Sequence, residues 1–231
     1  MPSSTYAARR GELETYFDRT AVEAWTRLTS TAPVGRVRAT VRVGRDSMRA
    51  TLLSYLPADL TGRRLLDAGC GTGALAVEAA RRGAHVTAID LSPTLVALAA
   101  ERAAGNTGAG HVEFLTGDMQ DPALGEFDHV VAMDSLIHYR APDVVAVLAG
   151  LAARTRHSML LTFAPRTPLL AAMHAAGQFF PRGDRSPAIE PVAERRLARL
   201  VAAGLPGWQP ARSRRIAAGF YISQALEVRR R

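Results

Sequence analysis

The stretch LLDAGCGTG, residues 65–73, decides the fold, because it places a glycine-rich turn directly after a short apolar run. A buried strand followed by such a turn and a helix is typical of ligand sites in open α/β sheets. Residues 69–74 satisfy Gly-x-Gly-x-x-Ala, the fingerprint of a dinucleotide pyrophosphate site. Asp67 stands two residues before the first glycine, however, and a carboxylate repels a pyrophosphate at short range. The turn therefore favours a ligand that carries no phosphate.

The surrounding residues alternate between short apolar runs and helical segments. Helices are predicted at 73–83, from Pro93 behind an N-cap at Ser92, and at 141–153. Five runs are typical of strands: 63–69, 85–90, 111–118, 127–134 and 157–165. Residues 207–228 add two further strands that meet at a turn over 217–219. We therefore predict an α/β, Rossmann-like fold with a seven-stranded, mostly parallel sheet and an antiparallel edge strand.

The chain divides into a helical arm and a ligand-binding domain. Residues 1–60 are predicted to form the arm or lid, broken at 17–20, with a second helix beginning at Ala21 behind a capping box. Residues 61–231 form the ligand-binding domain, and 166–190 are an insertion that we expect to cap the substrate. The apolar residues 169–180 within it suit a flat macrocycle or a membrane surface.

Composition excludes several classes of chemistry. The 231 residues carry a net charge of +8 and contain no lysine, so Schiff-base and lysine-nucleophile mechanisms are excluded. Cys70 is the single cysteine, so no intrachain disulfide forms. With no apolar run of 18 residues and no signal-peptide core, we expect a cytoplasmic protein. The positive charge suits an anionic small molecule, an acidic membrane surface or a nucleic acid.

A ligand with an ammonium group and no phosphate fits the turn and its acids. S-adenosyl-L-methionine carries an ammonium, a carboxylate and a sulfonium, and Asp67 attracts the ammonium while Gly69 and Gly71 let the backbone approach the methionine portion. Asp90, at the end of the second strand, accepts the ribose hydroxyls, and Asp118 the adenine amino group. The predicted binding residues are Asp67, Gly69, Cys70, Gly71, Asp90, Leu91, Asp118, Met119 and Met133.

The glycine turn, with TAIDLS (87–92) and GDM (117–119), resembles class I S-adenosylmethionine-dependent methyltransferases. More narrowly, the chain is similar over about residues 12–227 to the magnesium protoporphyrin IX O-methyltransferase family of (bacterio)chlorophyll biosynthesis. The segments that carry this resemblance are TYFDRTAVEAW (15–25), VRVGRD (41–46), MDSLIHY (133–139), LLTFAPRTP (160–168) and GFYISQALE (219–227). Departures lie in the N-terminal arm, the loop 105–110 and the basic segment 182–185.

The resemblance implies methyl transfer from S-adenosylmethionine to a propionate carboxyl of magnesium protoporphyrin IX. The products are the 13-monomethyl ester and S-adenosylhomocysteine, and magnesium enters only within the substrate, with no protein-bound metal. His138 is the first catalytic candidate, as a positioner of the carboxylate, a base, or a ligand of the substrate's magnesium. Tyr16 is the second, as a positioner or as an aromatic that packs the arm. Among the arginines at 36, 38, 42, 45 and 49, Arg42 is predicted to bind a substrate carboxylate.

Partners follow from the same resemblance and from the charge. A magnesium-chelatase subunit is the implied supplier of substrate, and weak peripheral association with the photosynthetic (intracytoplasmic) membrane suits an insoluble porphyrin. The competing interpretation is a class I O-methyltransferase acting on a quinone precursor or phenol, which would need a general base. Nucleic acid is not expected, because no Asn-Pro-Pro-Tyr motif follows the fourth strand and no aromatics interleave the basic runs.

Overall fold

The structure, a computed structural model, describes residues 4–20, 29, 35–166 and 188–231. The helices are α1 Ser4–Thr15, α2 Arg36–Tyr55, α3 Ala74–Arg81, α4 Pro93–Ala103, α5 Ala141–Ala152 and α6 Glu194–Gly204. The strands are β1 Arg64–Ala68, β2 His85–Asp90, β3 His111–Thr116, β4 Phe127–Ala132, β5 Thr155–Phe163, β6 Trp208–Ala218 and β7 Tyr221–Arg230. A π-helical turn, Tyr16–Thr20, continues α1, and 3-10 turns cover Pro122–Leu124 and Leu136–His138.

The seven strands form one sheet in the order β3-β2-β1-β4-β5-β7-β6. β1 to β5 pair in parallel, and β7 is antiparallel to both of its neighbours. The predicted fold class is confirmed, with one refinement: the antiparallel strand lies one position inside the edge. A hairpin explains this order, since β6 leads into β7 through Gly219 and Phe220, with Ala218 paired to Tyr221.

Successive side chains of β1 point to opposite faces of the sheet and join different cores. Leu65 packs with residues of α2 and α3, including Met48 and Leu75. Leu66 packs with residues of α5 and α6, including Leu148 and Val201. This alternation is the period of two that a strand buried on both faces requires, and it explains why the run is apolar throughout.

The connectivity creates a crevice at the carboxyl ends of the strands. From β1 the chain moves outward through β2 to β3, and then crosses to β4 on the other side of β1. Ligands of open α/β sheets bind where the strand order reverses in this way. The loops after β1 and β4 meet at this point, and they carry the glycine turn and residues 133–139.

In the N-terminal region, residues 4–20 and 36–55 are helical, and the chain is not broken at 17–20 as predicted. Residues 17–20 lie in the π-helical turn. The helix expected from Ala21, and the apolar segment 169–180 with most of the expected 166–190 insertion, lie outside the described residues. Among the helices that the structure describes, none has the length and apolar character needed to cross a bilayer.

Candidate active site

The turn after β1 is held in a left-handed conformation at three glycines. Gly69, Gly71 and Gly73 have φ of 86°, 53° and 77°. The backbone N–H groups of Gly69 and Cys70 both donate to the Ile89 carbonyl, at 2.8 and 3.0 Å, which fixes the turn to the end of β2. A Cβ on Gly69 would lie 2.3 Å from the Cβ of Ser135, whereas none of the described residues approaches such an atom on Gly71. Gly69 thus allows close packing inside the protein, and Gly71 leaves space open.

A cavity of about 550 Å³ lies over this turn, within the size range of small-molecule sites. Loops after β1, β2, β3 and β4 form its floor, and residues of α1, α2 and the π-helical turn contribute to its walls. It brings together all but one of the predicted site residues: Arg42, Asp67, Gly69, Cys70, Gly71, Asp90, Leu91, Asp118, Met119, Met133 and His138. Tyr16 is the exception.

Asp67 is a buried acid with an incomplete set of hydrogen bonds. The residue is 1% exposed, and its Oδ2 has no hydrogen-bond partner among the described residues. Burial, and then the nearby carboxylate of Asp90, raise the pKa of Asp67 to about 7. An unsatisfied buried acceptor costs free energy until a donor reaches it. A cationic ammonium in the cavity would supply that donor and favour the ionised carboxylate.

Asp90 ties the glycine turn to the start of α4. Its Oδ2 accepts the Gly71 backbone N–H at 2.8 Å and its Oδ1 accepts that of Ser92 at 3.0 Å. Burial raises its pKa, and these backbone donors act in the opposite direction. Each carboxylate oxygen has a second lone pair, so Asp90 retains the capacity to accept a ribose hydroxyl.

α1 lies against the part of the cavity formed by the loop after β3. The Tyr6 hydroxyl donates to Asp118 Oδ1 at 2.8 Å, and Arg10 Nη1 donates to Asp118 Oδ2 at 2.9 Å. The Tyr6 ring stacks on Tyr139, with centroids 4.9 Å apart. Burial is the main reason that the pKa of the Tyr6 hydroxyl is raised, so it remains a donor to this carboxylate. The adenine contact predicted for Asp118 would therefore form beneath α1.

The π-helical turn is anchored at the start of α4. Asp18 Oδ1 accepts the hydroxyls of Ser92 at 3.0 Å and Thr94 at 2.9 Å. Ser92 is also the N-cap of α4, where its Oγ accepts the Leu95 N–H. This anchor places Phe17 in the cavity wall, 5.9 Å from the His138 ring.

His138 and Tyr16, the two predicted catalytic residues, occupy different positions. His138 is 5% exposed and lines the cavity, and its Nδ1 lies 3.4 Å from the Ala188 carbonyl oxygen. Since a carbonyl oxygen only accepts, a hydrogen bond here places a hydrogen on Nδ1. Nε2 is then an acceptor in the neutral ring and a donor in the protonated ring. Tyr16 is half-buried and contacts Phe17 edge to face at 5.2 Å, outside the set that lines the cavity.

Comparisons with known proteins show the family to which the chain belongs. The family model for the C-terminus of magnesium-protoporphyrin IX methyltransferase matches residues 132–230, and a general methyltransferase-domain model matches 65–158. Over 99% of its length the chain is 52% identical to the whole magnesium-protoporphyrin O-methyltransferase of Rhodobacter capsulatus. It belongs to the magnesium-protoporphyrin O-methyltransferase family. The Synechocystis protein of the same name is 30% identical, over 92% of this chain and 93% of that one.

A solved structure extends the likeness to three dimensions. The crystal structure of magnesium protoporphyrin IX methyltransferase from Synechocystis PCC 6803, with bound S-adenosylhomocysteine, superposes with a TM-score of 0.82. The two are 29% identical, and the match covers 96% of this chain and all of that one. A class I methyltransferase fold is thereby established for this member of the family.

The cavity also contains residues that the sequence interpretation did not assign. Tyr6 and Tyr139 form its aromatic wall, and Arg45 and Asp134 meet in it. One signal was available in the sequence: Arg38, Arg42, Arg45 and Arg49 follow the i, i+4, i+7, i+11 spacing of a single helix face. Three of these four, at positions 42, 45 and 49, line the cavity. Arg49 is paired with Glu78 at 2.6 Å and with Asp46 at 2.9 Å.

We expect Gly69→Ala to destabilise the protein and to weaken cofactor binding. A left-handed φ costs a non-glycine residue about 1–2 kcal/mol, and the new Cβ would also displace Ser135. Gly62→Ala is the matched control, because Gly62 has φ of 72° with open space around its Cβ position and lies outside the cavity. Urea unfolding and S-adenosylhomocysteine titration compare the two variants. Equal losses of stability would contradict the role given to the Ser135 contact.

Proposed function

We propose that this protein transfers the methyl group of S-adenosyl-L-methionine to a propionate carboxyl of magnesium protoporphyrin IX, giving the monomethyl ester. The porphyrin is chosen as the acceptor because the chain is similar over its full length to the Rhodobacter enzyme. The buried carboxylate of Asp67, whose Oδ2 has no hydrogen-bond partner among the described residues, supports the donor, because it suits an ammonium and opposes a phosphate. The reaction belongs to (bacterio)chlorophyll biosynthesis.

The reaction is an in-line displacement at the methyl carbon. A bond forms between a propionate oxygen and this carbon as the carbon–sulfur bond breaks, and the electron pair of the broken bond stays on sulfur as a neutral thioether. A propionate with a pKa near 4–4.5 is ionised at neutral pH, so no proton needs to be removed. The protein contributes mainly by alignment, which is worth about 7–11 kcal/mol when geometry is good. Exclusion of water is its second contribution.

The residues of the cavity floor hold the donor. Asp67 binds the ammonium, and the open space at Gly71 beside Cys70 receives the methionine portion. Asp90 accepts the ribose hydroxyls next to Leu91, and Asp118 takes the adenine amino group. Met119 and Met133 pack against the apolar faces of the bound molecule.

His138 and Arg42 act on the acceptor. His138 lines the same cavity as Asp67, and from that place it can position the carboxylate, take a proton from the protonated fraction, or ligate the substrate's magnesium. Arg42 binds a propionate through its guanidinium, which matches a carboxylate geometrically. Tyr16 acts from the arm, and its contact with Phe17 is the route by which it reaches the cavity wall.

We further propose weak peripheral association with the photosynthetic membrane and delivery of substrate by a magnesium-chelatase subunit. The exposed start of α2 supports the first, since Val37, 53% exposed, lies between the exposed Arg36 and Arg38. Co-sedimentation with anionic and neutral vesicles tests it, and Arg36→Gln/Arg38→Gln should reduce binding to the anionic vesicles. Co-purification of the chelatase subunit tests the second.

An acceptor comparison tests the proposed function. The protein is incubated with S-adenosylmethionine and either magnesium protoporphyrin IX or a quinone precursor, and products are separated by chromatography. We expect the porphyrin monomethyl ester and one equivalent of S-adenosylhomocysteine from the first reaction only. Turnover of the quinone precursor with no porphyrin ester would replace this function by the competing one.

A further inference from the structure

Asp134, two residues after the end of β4, is held by groups from three different elements. Its Oδ2 lies 2.5 Å from Arg45 Nη1 of α2. Tyr221 of β7 donates its hydroxyl to the two oxygens at 3.1 and 3.2 Å, and Thr162 of β5 donates to Oδ1 at 3.1 Å. The Thr162 hydroxyl also accepts the backbone N–H of Asp134 at 2.7 Å. The carboxylate, with its side chain 8% exposed, is therefore fixed in position and direction.

The backbone at Asp134 is strained. Among the described residues it is the one non-glycine position with a positive φ, 57°. Such conformations cost about 1–3 kcal/mol and persist where the surroundings enforce them, often at functional sites. The donors from α2, β5 and β7 enforce it here, and the residue lines the cavity.

Close packing of α2 makes the contact with Arg45 possible. A Cβ on Gly44 would lie 2.5 Å from Cδ1 of the Tyr221 ring, so the glycine lets the helix lie directly on that ring. The next residue, Arg45, then reaches Asp134. The VRVGRD segment thus serves a geometric purpose: the glycine brings the helix close and the arginine enters the cavity.

The pair lies beside the glycine turn. Ser135, which follows Asp134, donates its hydroxyl to the Ala68 carbonyl at 2.7 Å and packs on Gly69. Met133, which precedes Asp134, also lines the cavity. A guanidinium held at this place is close to the turn that receives the methionine portion of the donor.

We propose that Arg45 binds the propionate carboxylate that receives the methyl group, and that Asp134 is a positioning residue that aims the Arg45 guanidinium. The proposal rests on the proposed function and adds to it the residue that meets the reacting carboxylate. Arg42, one turn earlier on α2, binds the second propionate of the porphyrin.

Pairing with Asp134 suits an arginine that binds a nucleophile. A guanidinium without a counter-ion would form a tight ion pair with the propionate and lower the nucleophilicity of its oxygen. With Asp134 balancing its charge, Arg45 directs the propionate by hydrogen bonds and leaves more negative charge on the attacking oxygen. The role therefore predicts that Arg45 and Asp134 variants have different kinetic signatures.

The first experiment compares two porphyrins that differ only in their carboxylates. Magnesium protoporphyrin IX and its dimethyl ester are each titrated into wild type, Arg45→Gln and Arg36→Gln, in the presence of S-adenosylhomocysteine, and Soret absorbance is followed. We expect Arg45→Gln to weaken binding of the diacid about 10- to 100-fold, as loss of a charge-assisted hydrogen bond does, with the dimethyl ester unchanged. Arg36→Gln is a change of equal charge on the same helix, exposed and outside the cavity, so in this vesicle-free assay it should bind both porphyrins as wild type does.

The second experiment separates positioning from a structural role. Asp134→Asn keeps the shape and suits the left-handed backbone, since asparagine adopts it readily. We expect its KM for the porphyrin to fall while kcat falls about 10-fold, because the guanidinium then pairs fully with the propionate. If Asp134 had a purely structural role, the correctly folded fraction of the variant would keep the wild-type KM. Titration with S-adenosylhomocysteine would then show fewer active sites per protein molecule than in wild type.

The outcomes distinguish this proposal from the proposed function. Suppose that wild type produces the ester, but Arg45→Gln either weakens binding of the diacid and the dimethyl ester equally or weakens binding of neither. The role of Arg45 is then overturned, while the proposed function stands. A KM for Asp134→Asn that is unchanged or raised overturns the role of Asp134. Absence of ester from wild type overturns the proposed function, and the proposal falls with it.

Discussion

Asp67→Asn should weaken binding of S-adenosylhomocysteine by about 10- to 100-fold, the loss of a buried charge-assisted contact to the ammonium. The amide keeps the size of the side chain but carries no charge, so it no longer attracts a cation. Isothermal titration calorimetry of wild type and variant measures the difference directly.

The same contact makes cofactor binding pH-dependent. In the ligand-free protein the pKa of Asp67 is raised to about 7, whereas an ammonium beside it stabilises the ionised form. Below pH 7, binding must therefore expel a proton, and the dissociation constant should rise about 25-fold between pH 7.5 and 5.5. Above pH 7 the carboxylate is already ionised and the affinity should level off. Asp67→Asn should remove this dependence.

Asp128→Asn is the matched control. Asp128 is also a buried acid of the central sheet, but it lies near the start of β4, away from the cavity. Its variant should keep the wild-type affinity and pH profile. If Asp67→Asn binds S-adenosylhomocysteine as wild type does, the ammonium contact is wrong and the donor is held by other groups.

His138→Ala should lower kcat by about 100-fold with little change in the affinity for S-adenosylhomocysteine, because general acid–base or orienting groups contribute on that scale. Single-turnover assays with saturating donor separate this loss from changes in binding. His138→Gln distinguishes the roles, since glutamine can donate a hydrogen bond to a carboxylate but cannot accept a proton. Recovery of activity in the glutamine variant would indicate positioning.

Tyr16→Phe accompanies that measurement. We expect it to lower kcat less than His138→Ala does, because phenylalanine keeps the ring contact with Phe17 and Tyr16 lies outside the set of residues that line the cavity. If both variants turn over near the wild-type rate, the catalytic assignment is wrong and the propionate is aligned by other residues, with Arg45 the first to consider.

Local sequence patterns predicted most of the fold. Short apolar runs, typical of strands buried on both faces, predicted β1 to β5. The N-cap at Ser92 predicted the start of α4, and the small residues at 217–219 predicted the turn between β6 and β7. Each of these depends on residues within one segment of chain. The place of β7 between β5 and β6 depends instead on which side of a hairpin pairs with the sheet, and no local pattern encodes that choice.

In the candidate site, too, some residues were predictable from local sequence and others depend on contacts between distant parts of the chain. Asp67, the glycines and Asp90 were predicted because they lie at the carboxyl ends of strands that share one edge of the sheet. The contacts from Tyr6 and Arg10 to Asp118 join residues more than 100 positions apart, and Arg45 reaches Asp134 across 89 positions. The role of Gly69 was predicted as approach of a ligand, but its Cβ position faces Ser135, which only the folded chain brings near.

The central claim, carboxyl O-methylation of a porphyrin, is tested most directly by the position of the transferred methyl group. Magnesium protoporphyrin IX is converted with S-adenosylmethionine that carries a ¹³C-labelled methyl group, and the product is analysed by NMR and mass spectrometry. We predict one labelled methyl per porphyrin, at the chemical shift of a methyl ester and lost on mild alkaline hydrolysis. A label that resists hydrolysis, or that appears only on a quinone-type acceptor, would contradict the account.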